Sequence, residues 1–256
     1  MEIQTYLTHA LVADDMSHRG SIAVVVDVLR ASTSICTALH RGAREVIPAL
    51  EIEDAMRIAG KLDRDVRLLA GERNCIKPDG FDLGNSPLEY TNEILNGKAL
   101  VFTSTNGAQA IARTRFAAHR LVGGFANLSV LIDYIMAHRE SEDGPRRIEL
   151  VCAGTDGNFS FEDTFGVGAI ADELRKRLGS ASMCDATRAA LELYTLHKSR
   201  LTDFVMSTAH AQRLNDLGYG DDVAYCLTAD TAPVVPIFEN STLKAALSAS
   251  MEHPSA

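Results

Sequence analysis

The sequence predicts an α/β fold: a layered α/β/α architecture built on a mostly parallel sheet. Three observations carry that expectation. Short apolar, β-branched runs alternate with stretches whose apolar residues recur at helical spacing, giving strand–helix–strand–helix between Ser21 and Lys61. The segments VVVDVLRAST, ALVFTSTNGA and ELVCAGTDGN repeat one plan: an apolar strand, an end rich in Asp or hydroxyl residues, then a helix. Finally, 256 residues with 46% hydrophobic and 23% charged side chains suffice for one large α/β domain or two smaller lobes.

Taken in order, residues 3–12 read as a first strand with a short continuation, and Ala10–Gly20 as a polar loop. Ser21–Val28 is a strand, because Val24, Val25 and Val26 favour the pleated conformation. Ser34–His40 is helical, and Gly42 suits the left-handed position after a helix end. Glu45–Pro48 is a strand, Ile52–Lys61 an amphipathic helix and Val66–Ala70 a strand. A long loop rich in Gly, Pro, Asn and Asp follows, and loops of that length are often functional. Tyr90–Leu95 is a short helical segment, Lys98–Thr103 a strand, and a helix begins at Ala108. Arg120–Gly123 is a strand, Leu128–His138 a helix, Ser141–Arg147 a turn-rich connection, and Ile148–Cys152 a strand. Phe161–Gly179, Cys184–His197 and Thr208–Leu217 read as helices, Val223–Leu227 and Val234–Phe238 as late strands, and the last dozen residues as a helical or frayed tail.

Composition excludes several function classes. A net charge of −9 argues against non-specific binding to nucleic acid or to an anionic membrane. No apolar run approaches the roughly 18 residues of a membrane span. The five cysteines are scattered and unpaired in spacing, and the first residues lack a cationic start and an apolar core. A cytoplasmic protein is the expectation, and a homodimer is plausible by base rate. There is no P-loop, HExxH or GxSxG, and nothing suggests zinc. Gly166-Val167-Gly168-Ala169-Ile170-Ala171 matches a dinucleotide pattern by letter but falls inside a helix, so it is assigned to helix packing. His197 and His210 stand out among histidines otherwise expected at the surface or in loops.

What remains is a set of hard oxygen ligands beside arginines and hydroxyls. Asp27, Glu72, Asp82, Glu162 and Asp163 are the carboxylates at the turns, and such ligands suit Mg²⁺. Arg30 and Arg73 suit bidentate phosphate or sulfonate contacts. Ser32, Thr33, Thr103, Ser104, Thr105 and Thr155 are donors for phosphoryl oxygens. The plain alternative is that Asp27 and Ser32 merely cap a helix, and that Gly and Asn mark the turns every α/β protein has.

At these residues the chain resembles a known family. VVVDVLRASTSICTAL, AGERNCIKPDGFDLGNSPLEY, VFTSTNGAQAI and CAGTDGNFSFEDTFGVGAI look like the motif blocks of the 2-phosphosulfolactate phosphatases. The resemblance covers roughly residues 20–175 strongly and continues more weakly toward VVPIF. It implies an α/β fold with two α/β lobes and the active site between them, a role in coenzyme M biosynthesis, and Mg²⁺-dependent hydrolysis of phosphosulfolactate. The lobes would be residues 1–95 and 96–256, or the whole would count as one domain. By the matching blocks it implies catalytic roles for Asp27, Arg30, Glu72 and Arg73. It implies substrate contacts from Ser32, Thr33, Asn85, Thr103, Ser104, Thr105, Asn106 and Thr155, and metal binding by Asp27, Asp82, Glu162 and Asp163. Asp27 is then a Mg²⁺ ligand or the nucleophile. Arg73, with Lys77, would face the sulfonate or carboxylate. The family carries a Gly pair where this chain has Asn74-Cys75, a change beside Arg73 that bears on substrate choice. Two other readings compete: the same site acting on another small phosphorylated hydroxy acid, and a non-catalytic anion-binding protein.

Overall fold

Every residue of Ile22–Val26, Ala99–Thr103 and Ile148–Cys152 is buried, as continuous apolar strands in a sheet covered on both faces must be. The structure is a computed structural model that describes residues 1–13, 16–141, 144–145 and 147–246. The chain runs β1 (Glu2–Tyr6), β2 (Ile22–Val26), α1 (Ala31–His40), β3 (Glu45–Ala49), α2 (Ile52–Ala59), β4 (Arg67–Gly71), α3 (Asn92–Leu95), β5 (Ala99–Thr103) and α4 (Gly107–Arg113). It continues with β6 (His119–Val122), α5 (Leu128–His138), the two-residue strands β7 (Glu140–Ser141) and β8 (Gly144–Pro145), β9 (Ile148–Cys152), α6 (Phe161–Leu178) and β10 (Ser182–Met183). Then come α7 (Asp185–His197), α8 (Leu201–Met206), α9 (Ala209–Asp216), α10 (Gly220–Cys226), β11 (Pro236–Glu239) and β12 (Thr242–Ala245).

Ten strands form one sheet in the order β10-β1-β9-β2-β6-β11-β12-β3-β5-β4. Two parallel groups are joined by the antiparallel hairpin β11–β12, which pairs with β6 on one side and β3 on the other. The fold class is therefore α/β as expected, with a mixed rather than purely parallel sheet. The boundary drawn between residues 95 and 96 does not follow a seam in it, because β5 lies between β3 and β4 while β9 lies between β1 and β2.

Alternate side chains enter opposite layers. Ile22, Val24 and Val26 pack with Leu131, Ile135, Phe165, Ile170 and Leu174 of α5 and α6. Val25 faces the other way, toward Ile35 and Leu39 of α1 and Ile111 of α4. Beyond the hairpin, Val101 and Leu69 pack against Ala55 and Ala59 of α2. The glycines of the GxGxxA segment do pack helices. A Cβ on Gly168 would sit 2.4 Å from the Ala190 carbonyl of α7, and one on Gly166 would sit 2.9 Å from Val26.

Val223–Leu227 is not a strand. It belongs to α10, whose Val223 and Cys226 are buried one helical turn apart behind an acidic first turn, Asp221 and Asp222. Strand β12, strand β10 and helix α8 are additional to the sequence reading. Two histidines expected outside are buried: His9 meets the Ala153 carbonyl at 2.6 Å, and His18 meets Glu149 at 2.9 Å. The expected tail over residues 247–256, and residues 142, 143 and 146 of the turn-rich connection, lie outside the described residues. No helix among the described residues is long and apolar enough to cross a membrane.

Candidate active site

Strand register decides which turns meet. β2 pairs with β9 up to Val26↔Cys152, so Asp27 and Ala153-Gly154 leave the sheet side by side. β4 pairs with β5 up to Gly71↔Thr103, so Glu72 and Ser104 do the same. The two strand groups run in opposite senses across the hairpin, and in a flat sheet these ends would lie on opposite edges. Sheet twist of about 20–25° per strand pair, summed over the intervening strands, turns them toward one cavity.

Asp27 ends β2 and begins α1. Its backbone N–H donates to Ser32 Oγ at 2.9 Å, and its Oδ1 accepts the Ala31 N–H at 3.2 Å. Helix α4 starts almost in contact: a Cβ on Gly107 would lie 2.8 Å from Asp27 Oδ2, so only glycine permits this approach. Glu72 ties two loops together, accepting the Cys75 N–H at 2.6 Å on Oε2 and the Thr105 N–H at 2.7 Å on Oε1. Asp163, in the first turn of α6, accepts the Val28 N–H at 2.8 Å and the Gly154 N–H at 2.9 Å. Its neighbour Glu162 accepts from His210 Nδ1 at 2.7 Å.

These groups line a cavity of about 180 Å³. Four buried carboxylates, Asp27, Glu72, Glu162 and Asp163, share it with Arg30, His210 and Arg213. Burial drives the Asp27 carboxyl up to about 6; the Ala31 N–H and the His210 charge oppose this, and the Glu72 and Glu162 charges add to it. Burial pushes Asp163 well above the ordinary range, and the charges of Asp27 and Glu162 push it further. Burial works against the charge on His210, but its bonds to Cys75 and Glu162 outweigh this and raise it to about 10. Glu162 is lowered despite its burial, because His210 bonds to it and faces it with positive charge. The pair is an imidazolium carboxylate at neutral pH.

Of the sequence-predicted residues, Asp27, Arg30, Glu72, Asn85, Ser104, Thr105, Asn106, Thr155, Glu162 and Asp163 line the cavity. The Oδ1 of Asn85 and the Oγ1 of Thr105 are buried with no hydrogen-bond partner among the described residues. Arg30 is held firmly. Its Nη1 donates to Asp222 at 2.7 Å, its Nη2 donates to the Cys75 carbonyl at 3.1 Å, and Tyr219 stacks 4.3 Å from it. Asp222 also accepts from Ser86 Oγ at 2.7 Å.

Six predicted residues lie elsewhere. Arg73 points away, bonding the Leu50 carbonyl and Glu51, because successive side chains of an extended segment face opposite ways and Glu72 faces in. Asp82 is a loop brace that accepts the Leu69 N–H at 2.8 Å and lies 3.9 Å from Arg67, with its side chain 44% exposed. The hydroxyls of Ser32 and Thr33 donate back to the Val25 and Val28 carbonyls. Thr103 Oγ1 is buried without a hydrogen-bond partner among the described residues, but Thr103 does not line the cavity. Lys77 is exposed and outside the cavity.

The cations on the outer wall, His210 and Arg213, come from α9. They stand three residues apart on one helix face, and that spacing was the available signal for them. Asn74 and Cys75, which replace the expected Gly pair, both hold left-handed backbone, φ 56° and 71°. Cys75 Sγ lies 3.8 Å from His210 Nε2.

Comparison with known proteins places the chain among relatives of one description. The model of the 2-phosphosulpholactate phosphatase family matches residues 6–241. A probable 2-phosphosulfolactate phosphatase of Caldanaerobacter subterraneus subsp. tengcongensis is 40% identical over 245 residues, covering 95% of this chain and 98% of that protein. Its counterpart in Thermotoga petrophila, also described as a probable 2-phosphosulfolactate phosphatase, is 43% identical over 218 residues, 85% of this chain and 89% of that protein. With the family model matched over nearly the whole chain and relatives of this identity and coverage, the chain belongs to the 2-phosphosulpholactate phosphatase family.

Proposed function

We propose that the chain is a Mg²⁺-dependent phosphatase that hydrolyses 2-phosphosulfolactate to sulfolactate and inorganic phosphate. One observation carries the reading: the gathering of Asp27, Glu72, Glu162 and Asp163 with Arg30, His210 and Arg213 around one small cavity. A three-carbon ester bearing phosphate, sulfonate and carboxylate has about four negative charges at neutral pH. Arginines and an imidazolium on one wall meet part of that charge.

Mg²⁺ fits the donor set. Four buried carboxylates in mutual repulsion need a cation before all of them ionise. Mg²⁺ typically takes one or two carboxylates and keeps several of its waters. Asp27 and Glu162 would hold it, whereas Asp163 is occupied in tying Val28 and Gly154 together. When bound, Mg²⁺ supplies Lewis-acid charge to the phosphoryl oxygens in an in-line displacement.

The protein's own groups do the rest. Arg30, held by Asp222 and Tyr219, presents its remaining N–H groups to the phosphate. The Thr105 hydroxyl can donate to an anionic oxygen of the substrate, whereas the unpaired Asn85 Oδ1 is an acceptor suited to a bound water or a substrate hydroxyl. Arg213 binds the sulfonate or carboxylate, the part first assigned to Arg73. His210, charged through Glu162, carries at Nε2 the proton that the departing alkoxide takes up.

The test is phosphate release from phosphosulfolactate, with Mg²⁺ and then with excess EDTA. Release that stops on chelation supports the reading. Equal rates on phosphorylated hydroxy acids without a sulfonate shift the substrate to that broader class. Saturable binding with no phosphate release overturns the phosphatase reading altogether.

A further inference from the structure

The proposed mechanism leaves one nucleophile of the cavity unused. Cys75 lines the cavity, and of the five free cysteines it alone does. Its Sγ lies 3.8 Å from His210 Nε2, and Nδ1 of the same ring donates to Glu162 at 2.7 Å. Nucleophile, ring and orienting carboxylate stand in the order that activates a side chain for attack. A cationic ring beside sulfur favours the thiolate, and the ring also carries the proton that a leaving group needs. The wall residues Asn74, Asp156 and Arg213 are exposed, which leaves the cavity open to a small solute on that side. The backbone of Cys75 is held on both sides. Its N–H donates to Glu72 at 2.6 Å, its carbonyl accepts from Arg30 Nη2 at 3.1 Å, and the neighbouring Asn74 carbonyl accepts from Arg213 at 3.3 Å. An atom added to this sulfur therefore stays in a cavity of about 180 Å³, beside the Nε2 atom assigned to proton delivery.

The other four thiols are placed differently. Cys36, Cys152 and Cys226 are fully buried, and burial pushes their thiols up. Cys184 is partly exposed and does not line the cavity; burial acts against its ionisation, but bonds from Thr187 and Thr5 outweigh this and lower its thiol. We propose that Cys75 is a peroxide-reactive modification site whose oxidation to sulfenic acid switches the cavity off. The sulfur attacks one oxygen of hydrogen peroxide, the O–O bond breaks, and the departing hydroxide takes a proton from His210 and leaves as water. Sulfur is oxidised by two electrons and peroxide is reduced by two. Because no other cysteine shares the cavity wall among the described residues, the product is not an internal disulfide, and a small external thiol restores Cys75 through a mixed disulfide. The modification itself is independent of the reaction catalysed; the loss of turnover rests on the phosphatase reading above.

The full chain in Mg²⁺ is treated with hydrogen peroxide, quenched with catalase and read in two ways: phosphate release from phosphosulfolactate, and peptide masses after dimedone, which captures sulfenic acid. Dimedone is expected on the Cys75 peptide. Phosphate release is expected to fall about tenfold and to return with dithiothreitol. In Cys75→Ser and Cys75→Gly it is expected to fall less than about twofold, each variant read against its own untreated rate. Cys184→Ser is expected to lose activity as wild type does. Iodoacetamide is expected to alkylate Cys75 about tenfold more slowly in His210→Gln, which reads the part played by the ring. If no protein releases phosphate, the phosphatase reading fails, and dimedone and iodoacetamide alone decide the site. Dimedone on Cys184 but not on Cys75, alkylation at an unchanged rate in His210→Gln, or equal inactivation of wild type and Cys75→Gly overturns the proposal.

Discussion

Asp27→Asn is expected to stabilise the metal-free protein and to abolish its turnover. Asn is a neutral isostere and keeps an oxygen for the Ala31 N–H that Asp27 Oδ1 accepts at 3.2 Å. What it removes is a charge that the fold resists, since burial lifts the wild-type carboxyl from 3.8 to about 6. The folded state binds the extra proton between about pH 4 and pH 6. Stability due to Asp27 therefore falls as pH rises through that window and stays low above it. Above pH 6 the accumulated cost is about 3 kcal/mol. In EDTA at pH 8 the variant should gain that amount, or about 6–12 °C in Tm for a chain of this size, and near pH 4 the two proteins should melt together. Mg²⁺ should raise the wild-type Tm much more than the variant's. Phosphate release should fall about a thousandfold. Thermal melts from pH 4 to 8, with and without Mg²⁺, measure the first part and single-time-point phosphate assays the second. Coincident melts at pH 8 in EDTA would refute the assignment of a buried, destabilised carboxylate, and near wild-type turnover would remove Asp27 from the chemistry.

Two further outcomes follow from the same site. Arg213→Met should raise KM for a doubly anionic ester about tenfold with kcat within about twofold, since Arg213 is exposed at the cavity wall and is assigned to the sulfonate or carboxylate; steady-state kinetics at low salt read the split. At Cys75, with φ 71°, both Cys75→Gly and Cys75→Ala remove the thiol, but only alanine keeps the left-handed strain, so the glycine variant should be the more stable by about 1 kcal/mol in urea titrations.

The legible parts of the fold and site are those set by local sequence. β2, β4 and β9 announce themselves as apolar runs, and the acids in the turns that follow them sit where an α/β sheet presents its strand ends. Asp27, Glu72, Glu162 and Asp163 are found that way. Arg73 misleads because adjacency to Glu72 in sequence suggests a shared target, whereas an extended backbone sends neighbours to opposite sides. His210 and Arg213 follow no strand. They reach the cavity because α9 packs beside it, a long-range fact of which their spacing on one helix face is the only local trace. Val223–Leu227 reads as a strand for a related reason: VAYCL is too short and evenly apolar for its period to separate helix from strand. The insertion of β11–β12 between β6 and β3 also depends on pairing between distant segments.

That hairpin has a consequence for how the molecule comes into being. During synthesis, β2, β6 and β9 can pair as soon as β9 is made, and β3, β4 and β5 earlier still, but β6 and β3 remain two bare edges until Pro236–Ala245 arrives. Bare edges are templates for pairing with other chains. Contacts between segments so far apart also slow folding, because the loop entropy is lost before the contact forms. The nascent protein thus carries two sticky half-sheets until its last strands seal them, and the cavity, whose walls come from both halves, takes its final shape only at that moment.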